Sequence, residues 1–93
     1  MKTLTAQMSS DGRTWRLYVV LFGESGWPTV RWERPGPVPT VAERRRALAE
    51  LGYEVASGAG WSWSEDSRDP DDDSTPVLLI AAVEVREREG GAA

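Results

Sequence analysis

The chain has 93 residues, enough for one small domain, with five Trp, no Cys, no His and a formal net charge of −4. The absence of Cys excludes disulfides, thiolate nucleophiles and thiolate metal sites, and the absence of His removes the commonest general base and transition-metal ligand. Charge is divided along the chain: residues 1–50 carry eight basic and five acidic groups, residues 51–93 three and ten.

At the amino terminus, MKTLTAQMSS has no apolar core of the signal-peptide kind. The longest apolar run, from Val77 to Val83, is far shorter than the ~20 residues a membrane helix needs. A soluble cytoplasmic protein with no membrane association is therefore expected. Residues 3–9 place Leu4, Ala6 and Met8 on one side and Thr3, Thr5, Gln7 and Ser9 on the other, the alternation of a half-buried strand. Asp11-Gly12 is a strong hairpin-turn signal. The next segment, WRLYVVLF, is apolar on both sides: Trp15, Leu17, Val19 and Leu21 against Arg16, Tyr18, Val20 and Phe22. Such a strand is central in its sheet or covered on its second face. After the turn GESG, WPTVRWE reads as a third strand with Val30 and Trp32 inward and Thr29, Arg31 and Glu33 outward. Pro28, which cannot donate to a ladder, belongs at its start or on an edge.

The stiff connector RPGPVP leads into the one clear helical pattern, TVAERRRALAELGY. Thr40 and Glu43 form a capping box, and Gly52 stands where a left-handed C-terminal cap is needed. Val41, Ala47, Leu48 and Leu51 share a stripe that also contains Arg44, whose stem should lie over the core with its head reaching solvent or a carboxylate. Arg46 points away, within reach of Glu43 and Glu50. YEV opens a fourth strand, broken by SGAG and followed by WSWSE, in which Trp61 and Trp63 face the same way and are expected toward the core. Residues 66–75 read as an acidic loop. PVLLIAAVEVRE is the strongest strand, with Val77, Leu79, Ala81, Val83 and Val85 on one face and Leu78, Ile80 and Ala82 beginning the other.

These elements predict an α+β single domain over residues 1–88, about five mostly antiparallel strands in the order β-β-β-α-β-β, with one helix packed on one sheet face and a frayed tail at 89–93. A single helix of this length covers two or three strands, so the opposite sheet face should be left to loops or to another chain.

The ordered segments WRLYVVLFG, GWPTVRW, VAERRRALAELGYE, WSWSED and PVLLIAAVEV resemble a family of small single-domain proteins of unknown function from Streptomyces and related actinobacteria. The resemblance spans most of the chain. It implies a small bacterial domain and carries over no functional residues.

The residues themselves favour no catalytic site. Glu65 and Asp66 adjoin the Trp pair, as carboxylates adjoin aromatic platforms in sugar-cleaving enzymes, but neighbours on a strand point to opposite faces. The acidic loop fits a calcium loop at Asp69, Asp71 and Asp73 and fails where Ser74 and Ile80 stand in place of Gly and Glu. No metal and no cofactor are expected. The candidate site is the sheet face opposite the helix, with Arg16, Tyr18, Val20, Phe22, Arg31 and Ile80 as partner-binding residues of a non-catalytic protein-interaction or regulatory module, docking a protein or a second copy as a homodimer. Two alternatives remain open: nucleic-acid binding on that face, where Arg and aromatic residues meet, or an acidic inhibitor acting through the Asp-rich loop Asp69–Asp73.

Overall fold

The computed structural model describes residues 3–10, 13–34, 36–67, 69, 71–75 and 77–88. The Asp11-Gly12 turn and the tail at 89–93 lie outside the described residues.

Alternation in the sequence becomes alternation in burial. In β1 (Leu4–Ser10), Ala6 and Met8 are buried between half-buried or exposed polar neighbours, and in β2 (Trp15–Val20), Trp15, Leu17 and Val19 are buried. The short β3 (Thr29–Trp32) turns Val30 and Trp32 to the core. After α1 (Val41–Leu51) come β4 (Tyr53–Val55), β5 (Ser62–Ser67) and the eleven-residue β6 (Val77–Glu87). All strand pairs are antiparallel, in one sheet ordered β3-β2-β1-β6-β4, with β5 also on β6.

The expected fourth strand is thus two short ones on the same edge of β6. Val55 stands opposite Val85 and Ser62 opposite Ala82, so residues 56–61 occupy a stretch that on β6 takes only Val83 and Glu84. The excess is looped out: the Ala56 amide bonds the Glu84 carbonyl at 2.9 Å, the Ala59 amide closes a turn on Ala56, and Gly58 takes the positive φ of 78° that this turn requires.

The helix is fixed at both ends. Thr40 Oγ1 accepts from the Glu43 amide at 3.0 Å while the Thr40 amide donates to Glu43 Oε1 at 2.9 Å, the reciprocal capping box. At the other end Gly52 has φ 92° and donates its N–H to the Ala49 and Leu48 carbonyls. Ala47 and Leu48 bury against Met8, Leu17, Val19, Ala81, Val83 and Val85.

The helix packs on one face of the sheet, as expected. Its eleven residues make a rod about 16 Å long and ~10 Å wide, too small for the flat sheet, yet it contacts both β3 and β4, the outermost strands of the order. The sheet achieves this by curling into a half-barrel around the helix. The concave side holds the core; the face away from the helix is convex, and Arg16, Tyr18, Val20, Ile80 and Ala82 on it are half-buried, with no helix over them among the described residues.

Candidate functional site on the open sheet face

Cross-strand register defines the uncovered face. Arg31, Arg16, Ser9, Ile80 and Ser64 form one row across the sheet, and Thr29, Tyr18, Gln7, Ala82 and Ser62 the next. Val20 lies one row further, opposite Thr5. Five of the six residues named from the sequence, Arg16, Tyr18, Val20, Arg31 and Ile80, are therefore together on this face. Phe22 is not part of it. β2 ends at Val20, and Phe22 sits in the following turn, 93% exposed. The apolar pattern of WRLYVVLF runs past the end of the strand, because the chain must already turn to bring Pro28 beside Val19, whose amide bonds the Pro28 carbonyl at 3.1 Å.

That turn supplies a residue the sequence reading left out. Trp27 stacks on Tyr18 with ring centroids 5.8 Å apart and planes 24° from parallel. Its indole Nε1 donates to the Leu21 carbonyl at 2.9 Å, which fixes the ring, and the Tyr18 hydroxyl donates to Gln7 Oε1 at 3.1 Å. Beside the stack, Arg16 and Arg31 stand directly opposite one another on β2 and β3. Like charges in that relation are destabilising. Arg31 reaches Glu33 only at 4.0 Å with both side chains exposed, and Arg16 has no ion-pair partner among the described residues. Arg16, Tyr18, Glu24, Trp27, Thr29 and Arg31 line an open cleft of about 650 Å³. Two guanidinium forks beside a fixed aromatic surface offer bidentate hydrogen bonds to carboxylate or phosphate next to a stacking platform.

On the helix side the tryptophans meet the helix through Arg44. Trp61 packs on the core, and Trp63, expected toward it, faces that side but remains 44% exposed. The Arg44 guanidinium lies 4.9 Å from the Trp61 ring and 5.9 Å from the Trp63 ring, and its Nε donates to the Pro39 carbonyl at 2.8 Å. The head meets no carboxylate among the described residues: the residue is 8% exposed and its charge rests on two indoles and a carbonyl. Burial pushes its pKa down from the ordinary arginine value. Glu43, assigned to Arg46 by helical spacing, is taken by Arg34, whose Nη2 lies 2.9 Å from Glu43 Oε1. That hydrogen bond, then the Thr40 amide, hold the Glu43 carboxyl down at about 2 against an ordinary 4.5.

The acidic loop is built on its own backbone. Asp69 Oδ1 accepts from the Asp71 amide, and Asp72 Oδ1 accepts from the Ser74 hydroxyl at 2.6 Å and the Ser74 amide at 3.0 Å. The Ser74 hydroxyl and amide lower the pKa of Asp72 in that order. Among the described residues no group of acidic side chains converges as a metal site would, and no helix is long and apolar enough to cross a membrane.

Fold and register together define a small antiparallel α+β domain with one covered and one uncovered sheet face. The chain belongs to the Family of unknown function (DUF6303), whose model matches residues 2–93. Neither a curated protein nor a solved structure matches it.

Proposed function

We propose that this protein is a small non-catalytic interaction module of the actinobacterial cytoplasm that docks a partner protein on its open sheet face, with the Arg16–Arg31 cleft as the anchor. The observation that carries the reading is the cross-strand arginine pair beside the Tyr18–Trp27 stack, in which Arg31 has only a long, exposed ion pair to Glu33 and Arg16 has none among the described residues. A fold that tolerates such a pair in isolation gains from a partner that supplies the missing negative charge. An acidic, aromatic-bearing segment of a partner protein fits both parts of the cleft. A convex face suits a concave partner and disfavours packing against an identical convex copy. Nucleic acid is the second reading, favoured by the stack alone, since an unpaired base stacks on an exposed indole as well as a side chain does.

The test is capture from a nuclease-treated lysate of the native host with three baits. The wild type and an Asp71→Asn, Asp73→Asn variant should retain the same protein, and an Arg16→Glu, Arg31→Glu variant should lose it. Loss on the Asp→Asn bait alone would transfer the function to the acidic loop. Loss of all capture on nuclease treatment, with direct binding of single-stranded oligonucleotide, would establish the second reading.

A further inference from the structure

Among the described residues the exposed large hydrophobics include Val41, Trp63, Val77 and Leu79, and these four belong to one stripe on the helix side, away from the open face. Val41, on the first turn of α1, lines a small depression together with Arg45 and Trp61. Trp61 and Trp63 lie under the same Arg44 guanidinium. Trp63 pairs with Ala81 and Glu65 with Leu79, so Leu79 is the diagonal neighbour of Trp63, and Val77 follows two residues along the same face. Exposures of 49%, 44%, 47% and 55% for Val41, Trp63, Leu79 and Val77 show that nothing among the described residues covers the stripe.

The far half of this stripe lies on a two-stranded arm. The pairing of β1 with β6 runs as far as Ile80, so, among the described residues, 77–79 pair with β5 alone. A two-stranded ribbon is marginal on its own and is stabilised when its apolar face is covered. The two ends of the stripe are oppositely charged. The helix end has exposed Arg45, and the arm end has exposed Glu65 followed by the loop carrying Asp69, Asp71, Asp72 and Asp73.

We propose that the stripe is a self-association surface and that its occupant is a second copy of this chain. A stripe that is apolar along its length, positive at one end and negative at the other is self-complementary under a two-fold axis through its middle, near Trp63. In that arrangement each arm lies along the helix end of its partner, and each Arg45 meets the partner's acidic arm. The positive end of each stripe then meets the negative end of its partner's. This surface is separate from the open face and does not depend on the cleft having a partner.

Sedimentation velocity of the full chain over a concentration series tests it. The expected result is a reversible monomer–dimer equilibrium that weakens with salt, about tenfold weaker or more for Leu79→Arg and for Arg45→Glu, with circular dichroism unchanged because both positions are exposed. Mixing Arg45→Glu with an Asp71→Lys, Asp73→Lys variant should restore association as a heterodimer. Either a strict monomer at millimolar concentration or a dimer indifferent to Leu79→Arg overturns the proposal. A dimer abolished by Tyr18→Ala and preserved in Leu79→Arg also overturns it, and assigns self-association to the open face.

Discussion

Arg44 shows how far a single position can depart from its sequence pattern. Helical spacing places it in the apolar stripe of α1, and the natural expectation is a stem over the core with a solvated head. The reason it stays inside is two residues beyond the reach of helical periodicity, Trp61 and Trp63, whose ring faces replace water around the guanidinium, with the Pro39 carbonyl taking its Nε proton. Arg44→Ala should therefore lower stability by about 2–4 kcal/mol, from a lost charge-assisted hydrogen bond, a lost stacking surface and a cavity. Arg44→Lys should recover less than half of it, since an ammonium lacks the planar fork. Urea unfolding of the two variants checks both. Glu43 is the second residue with a readable consequence. Its carboxyl has a folded pKa of about 2 against an ordinary 4.5, so the unfolded chain binds the extra proton between those values. Its stabilising contribution is complete above about pH 5, declines as pH falls through that window and is gone below about pH 2. Glu43→Gln should flatten this part of the acid-unfolding curve relative to wild type. An equal slope in both proteins would show that Arg34 and the Thr40 amide do not hold the ionised form.

Elements were legible where a local rule was sufficient. The capping box at Thr40 and Glu43, the glycine cap at Gly52 and the in–out alternation of β1 and β3 depend on neighbours within four residues, and each is present as read. Gly52→Ala should cost about 1 kcal/mol purely through its φ of 92°, because a Cβ there meets no atom within 4 Å. Thermal unfolding should show a lower midpoint with the fold retained. Elements were misjudged where the deciding contact is distant in sequence. β2 was extended through Phe22 because the pattern stays apolar, whereas the return of the chain to Pro28 ends the strand at Val20. The interrupted edge was counted as one strand because nothing in SGAG reveals that β6 runs past both halves. Trp27 was missed as a site residue for the same reason. Its partner is Tyr18, nine positions earlier, and only the β2–β3 turn brings the rings together.

For the molecule as a whole, a helix that touches both outer strands requires a curled sheet, and the curl gives the two faces different characters. The concave face is closed by Leu48, Ala47 and Arg44, leaving an apolar stripe along the helix and arm. The convex face mixes short polar side chains with Val20, Ile80 and Ala82 and carries the arginine–aromatic cleft. The location of the candidate site on the face opposite the helix was already implied by a second strand apolar on both sides. Its arginine and aromatic character was legible too, whereas the direct opposition of Arg16 and Arg31 is a matter of register. Recognition on the convex face and self-association on the stripe are two separate proposals, and one comparison separates them. Isothermal titration of the captured partner protein should give full affinity for Leu79→Arg and at least a tenfold loss for Tyr18→Ala. Unchanged affinity for Tyr18→Ala, with binding lost in Leu79→Arg, would contradict it.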